Sequence, residues 1–90
     1  RNIIKKTIEG LAKEGRPYKG ILYLGGIIVR SKVYVIEFNA RWGDPEAQVI
    51  VPGLHVDFFE LGMAISEGKL KNLKIENDGR VRVAVAGVSR

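Results

Sequence analysis

Residues 35–46, VIEFNARWGDPE, constrain this chain more than any other stretch, because they read as a strand that runs directly into the start of a helix. Side chains two apart in a strand project to one face, so Glu37, Asn39 and Arg41 stand together while Ile36 and Phe38 point the other way. Asp44 and Pro45 then begin a helix, since aspartate can cap it and proline is preorganised for its first position. A carboxylate, an amide and a guanidinium therefore share a strand end beside an acidic helix start.

The elements around this stretch follow from spacing. Ile3, Ile4, Ile8, Leu11 and Ala12 recur at helical intervals opposite Lys5, Lys6, Glu9 and Lys13, which predicts an amphipathic helix over 3–14 with Asn2 as its cap. Gly15 and Pro17 end it. Residues 19–30 and 33–39 are two β-rich runs around a polar break at Ser31 and Lys32, and they predict a hairpin. Gly25 and Gly26 fall inside its first strand, where glycine marks a bulge or a close backbone approach. Apolar residues on both faces of 33–36 predict a central strand with cover on both sides.

A short helix is expected over 45–51, broken by Pro52 and Gly53. Asp57 and Glu60 form a capping-box pattern for a further helix that reaches Glu67 and closes at Gly68, with Phe58, Leu61, Met63 or Ala64, and Ile65 on its buried side. Residues 73–76 and 81–88, around Asn77, Asp78 and Gly79, predict a C-terminal hairpin. The fold class is α+β.

Ninety residues make one domain at most, with a modest core. A 46% hydrophobic share and a mean hydropathy of −0.01 are those of a globular chain, and no apolar run approaches the roughly 20 residues that cross a bilayer. No membrane partner is expected. The basic N-terminus lacks the apolar stretch and cleavage site of a secretory leader, and the absence of cysteine excludes disulfides and thiolate metal sites, so a cytoplasmic location is expected. The net charge of +5 is segregated: +4 over residues 1–20, +2 over 21–36, −5 over 37–67 and +4 over 68–90. Neither basic end interleaves aromatics or glycines as a nucleic-acid footprint does, and solvated basic faces are the reading adopted.

Glu37 and Asn39 offer hard oxygen ligands of the kind magnesium takes in nucleotide sites, where one or two protein oxygens act with phosphates. Arg41 matches a phosphoryl group in shape and charge. The competing reading is a strand end whose polar residues meet water or a neighbouring helix, and spacing leaves the two open. Asp44 and Glu46 are fully explained as cap and first-turn acid, although the same helix start could present backbone N–H groups to an anion. The lone His55 reads as a connector or packing residue and Trp42 as a packing anchor. Neither a dinucleotide fingerprint nor a phosphate loop surrounds Gly25 and Gly26.

YKGILY at 18–23 followed by VIEFNARWGDPEAQ at 35–48 resembles the phosphoribosylamine–glycine ligases, or glycinamide ribonucleotide synthetases, of the ATP-grasp superfamily. The likeness runs to the end of the chain. It implies that residues 1–68 are the C-terminal portion of an ATP-grasp domain, an antiparallel hairpin packed by helices, and that residues 69–90 start a small C-terminal β domain. It also implies an ADP-forming ligation in purine synthesis that joins glycine to 5-phosphoribosylamine with ATP. Glu37 and Asn39 would be ligands to magnesium or manganese. Arg41 would act on the transferred phosphoryl group or acyl phosphate, and Asp44 and Glu46 would shape the substrate pocket.

Ala40 and Trp42 depart from the residues usual in that family but spare the co-facing polar side chains. The family's N-terminal domain, lid, adenine-contacting residues and second metal-binding carboxylate are not recognisable here. The chain is therefore expected to need the remainder of the ligase polypeptide and to be inactive alone. A reading from another class is a non-catalytic half-domain that docks with a partner chain.

Overall fold

The computed structural model describes residues 2–90, which form two compact units divided between Arg41 and Trp42.

In the first unit, helix α1 (Asn2–Lys13) takes the amphipathic pattern as expected, with Asn2 as its first turn rather than its cap. Its end is a glycine motif. Gly15 adopts φ +74°, its N–H donates to the Ala12 carbonyl at 3.1 Å, and the Arg16 N–H donates to the Leu11 carbonyl at 2.9 Å. The left-handed backbone favours glycine, and these two bonds satisfy carbonyls that a helix end otherwise leaves open.

The expected hairpin forms from β1 (Tyr23–Val29) and β2 (Lys32–Asn39), paired antiparallel. Its two-residue turn is Arg30 and Ser31, one residue earlier than the polar break suggested, and both have positive φ, 47° and 64°. Such paired positive angles match the twist of hairpin strands. The register slips between Gly25 and Gly26, so the glycine pair does mark a bulge.

Among the described residues β2 pairs with β1 alone, so it is not the central strand that its two apolar faces predicted. Both faces are open instead: Ile28 is 73% exposed on one, and Tyr34 is 54% exposed on the other. The apolar pattern records that cover is needed, while the partners that would give it cannot be read from a strand's own sequence.

In the second unit, α2 (Glu46–Ile50) leads into a 3₁₀ turn (Val51–Gly53) and the short strand β3 (Leu54–His55). Helix α3 (Phe58–Glu67) starts where Asp57 Oδ1 accepts the Glu60 N–H at 2.9 Å, as the capping pattern predicts. It ends like α1, with Gly68 at φ 72° and the Lys69 N–H on the Ala64 carbonyl at 2.8 Å. Leu61 is buried, whereas Phe58 and Met63 are more than 40% exposed. Ala64 and Ile65 are half-buried. Trp42 meets Phe58 edge to face, ring centroids 6.5 Å apart, in the packing role expected of it.

The α+β class stands, but the C-terminal pairing differs from expectation. A 3₁₀ turn (Leu70–Asn72) precedes β4 (Glu76–Asn77), which pairs antiparallel with β3, His55 opposite Glu76. Residues 79–90 form no helix or strand. The turn is diverted by its own side chains: Asn77 Oδ1 accepts the Gly79 N–H, Asp78 Oδ1 accepts the Arg80 N–H, and the Asp78 backbone N–H is taken by the Gly53 carbonyl. Val81, Val83 and Val85 consequently lie more than 80% exposed. No described helix is long and apolar enough to cross a membrane.

Candidate functional site

Strand β2 carries Glu37 and Asn39 two residues apart on one face, as alternation requires. Across the ladder Glu37 faces Gly25 and Asn39 faces Tyr23. Directly opposed residues in an antiparallel pair share a face, so the Glu37 side of the hairpin has no side chain at Gly25, while Gly26, opposite Val35, leaves the other face bare. The carboxylate thus stands beside bare backbone. That neighbour was missed from sequence because it depends on register, and the glycine pair was its only signal.

Asn39 is half-buried, and its Nδ2 is sealed from solvent without a hydrogen-bond partner. A buried donor left open is costly and is found where a ligand, ion or further polar group completes it. With the nitrogen turned inward, the amide oxygen is the atom available as an acceptor or metal ligand.

Arg41 lies past the end of β2, in a bend, so strand alternation does not carry it onto the face of Glu37 and Asn39 as the sequence suggested. The pleat ends at Asn39. Arg41 is engaged in an interaction of its own.

Asp44 and Glu46 belong to the second unit. Asp44 does not cap α2: no side-chain cap bond exists, the cap position is Pro45, and Asp44 Oδ1 accepts the Gln48 amide at 2.7 Å instead. The helix start is also less open to an anion than expected, because the Ala47 N–H donates to the Gly43 carbonyl at 3.0 Å and the Gln48 N–H to the Pro45 carbonyl at 3.1 Å. Glu46 folds back over the buried Gly43, where an added Cβ would stand 2.9 Å from the Glu46 Cβ. His55 sits in β3 opposite Glu76 and joins no metal-ligand cluster among the described residues.

Among the described residues no group of three acidic or histidine side chains could hold a metal by itself. The donor set on β2 is one carboxylate and one amide oxygen. That fits a hard cation whose shell is completed by phosphate oxygens and water, and it does not fit a cage built from protein alone.

The chain matches the model of the phosphoribosylglycinamide synthetase ATP-grasp (A) domain over residues 1–47, just over half its length. It is 48% identical over 88 residues to phosphoribosylamine–glycine ligase of Caldanaerobacter subterraneus subsp. tengcongensis, covering 98% of this chain and 21% of that protein. It is 39% identical over 95 residues to the bifunctional purine biosynthetic protein purD of Dictyostelium discoideum, covering 98% of this chain and 12% of that protein. A similar likeness, 40% over 90 residues, links it to the trifunctional purine biosynthetic protein adenosine-3 of Bos taurus, with 99% and 9% covered. The chain thus spans about one-fifth or less of the curated relatives it matches.

Proposed function

The chain belongs to the family of the phosphoribosylglycinamide synthetase ATP-grasp (A) domain, and we propose that it is a segment of a phosphoribosylamine–glycine ligase whose β2 strand supplies the metal- and phosphate-binding wall of the active site. The observation that carries this reading is the co-facing pair Glu37 and Asn39, with a side-chain-free backbone opposite the first and a buried, unpartnered donor on the second.

In the intact ligase, the terminal phosphoryl group of ATP passes to a carboxylate oxygen of glycine and ADP leaves. The amine of 5-phosphoribosylamine then attacks the acyl carbon, inorganic phosphate departs, and the amine gives up a proton as the amide forms. Such chemistry is governed by positioning and by neutralising phosphate charge. Glu37 and Asn39 would hold a magnesium or manganese ion through their oxygens. The ion, when bound, supplies charge neutralisation at the ATP phosphates.

Arg41 follows Asn39 by two residues, and its role is to hold phosphoryl oxygens during transfer with its planar, forked guanidinium. Asp44 and Glu46 take the substrate side of the pocket. Asp44, braced by Gln48, and Glu46, folded on Gly43, are both held by their own segment, which suits positioning. Residues 1–68 then belong to the ATP-grasp domain and 69–90 open a small β domain. The working location is the cytoplasm.

The test is Glu37→Gln in the intact ligase. Turnover should fall by about 100-fold or more, with the circular dichroism spectrum and melting temperature kept. Wild-type turnover would refute the reading. The 90-residue chain alone should form no glycine-dependent ADP.

The exposed faces of the β1–β2 hairpin favour a second reading. Ile28 and Val33 on one face, Tyr34 on the other and Ile36 at the bulge are each about half or more exposed, and exposed apolar faces of this kind mark an interaction surface. On this reading the chain is a non-catalytic half-domain completed by a partner chain. It predicts that Glu37→Gln changes neither turnover nor metal binding, while apolar-to-charged changes on the hairpin abolish partner capture.

A further inference from the structure

Two adjacent glycines in β1 meet different neighbours. A Cβ built on Gly25 would stand 3.1 Å from the Glu37 Cγ and 3.7 Å from its Oε1. One built on Gly26 would stand 3.0 Å from the Tyr34 carbonyl oxygen and 3.4 Å from the Val33 Cγ1. We propose that Gly25 is a positioning residue for Glu37: its lack of a side chain leaves the room in which the Glu37 carboxylate stands toward metal and phosphate. The inference rests on the ligase reading of Glu37 and adds a residue to it.

Carbon atoms at rest lie about 3.5–4.0 Å apart, so a methyl group at Gly25 must displace something. The backbone there is not left-handed, and alanine can occupy it without strain. What yields is the Glu37 stem, an exposed and rotatable chain. Its carboxylate would swing from its place while the ladder stays intact. At Gly26 the obstacle is a backbone carbonyl within the hairpin, which cannot give way without disturbing the strand pairing. Gly25 therefore governs the carboxylate and Gly26 governs the sheet.

The experiment uses the intact ligase that carries this segment, with Gly25→Ala, Gly26→Ala and Glu37→Gln. Mn²⁺ is titrated in the presence of ATP and followed by electron paramagnetic resonance, and each protein is melted without metal. Gly25→Ala should weaken Mn²⁺ binding about 10-fold, as loss of a group that orients a metal ligand does, with its melting temperature unchanged. Gly26→Ala should lower the melting temperature and leave Mn²⁺ affinity at the wild-type value below the melt. Glu37→Gln should weaken Mn²⁺ binding at least as much as Gly25→Ala. If Gly25→Ala binds Mn²⁺ normally while Glu37→Gln does not, the positioning role fails and the ligase reading survives. If Glu37→Gln also binds normally, both fail. Equal loss of affinity in both glycine variants, or failure of Gly25→Ala to fold, would assign Gly25 to the bulge and overturn the proposal.

Discussion

Arg82 closes a two-pronged grip on Asp78: Nη1 donates to Oδ1 at 2.9 Å and Nη2 donates to Oδ2, while the Arg80 backbone N–H donates to the same Oδ1 at 3.0 Å. The guanidinium also reaches toward the Pro52 carbonyl, and Gly53 makes room for it, since a Cβ there would stand 2.7 Å from Nη1. One ion pair thereby ties the end of β4 to the turn before β3.

The Arg82 hydrogen bonds, joined by the Arg80 N–H, hold the Asp78 carboxyl well below the usual carboxylate range. A lowered pKa in the folded state means that the unfolded chain takes up the proton first, so the grip stabilises at neutral pH and fades on acidification. Its contribution should be constant from neutrality down to the ordinary aspartate value of about 3.9 and shrink below that. The stability difference between wild type and Asp78→Asn, from urea melts at a series of pH values, should be flat above that point and close beneath it. A gap that widens in acid would contradict the ion pair.

The β1–β2 turn stores a correctable cost. Arg30 and Ser31 both adopt positive φ, which L-residues other than asparagine, aspartate and glycine resist. Replacing the pair by Asn-Gly should stabilise the hairpin by about 1 kcal/mol, read as a higher urea midpoint with an unchanged slope. Arg30→Val should move the midpoint the other way.

These residues also show where sequence reasoning reaches and where it stops. Gly15, Gly68 and Asp57 act on carbonyls and N–H groups within five positions of themselves, so their roles were legible from local chemistry alone. The Gly25–Gly26 bulge was legible as a bulge, but its place opposite Glu37 depends on a register set 12 residues away. Asp78 shows local preference being overruled. Asn77, Asp78 and Gly79 are hairpin-turn residues, yet Gly53, distant in sequence, claims the Asp78 N–H, and Arg82 claims its carboxylate. Asp44 likewise had a cap role by pattern and an equally local alternative in Gln48, four residues on, which prevailed.

The cap of α3 gives a clean local test. Asp57 Oδ1 on the Glu60 N–H satisfies one of the donors that a helix start leaves open. Asp57→Ala should cost about 1 kcal/mol, and Asp57→Ser should recover most of it. Hydrogen exchange should localise the loss to the first turn of α3. Equal protection of those amides in wild type and Asp57→Ala would show the bond to be dispensable.

The two open faces of the β1–β2 hairpin set the behaviour of the isolated chain. Ile28 and Val33 oppose each other on the face away from Glu37 and are 73% and 49% exposed, and Ile27 and Tyr34 on the Glu37 face are 53% and 54% exposed. Removing such area from water is worth roughly 25 cal/mol per Å², and an unpaired β2 edge offers backbone N–H and C=O groups to any strand that arrives. The purified 90-residue chain should therefore associate in sedimentation velocity as its concentration rises. Ile28→Lys, which puts a charge on the face away from Glu37 and Asn39, should shift it toward monomer. Monomeric behaviour of the unsubstituted chain at high concentration would mean that these faces are covered within the chain itself, and would remove the case for cover by other polypeptide.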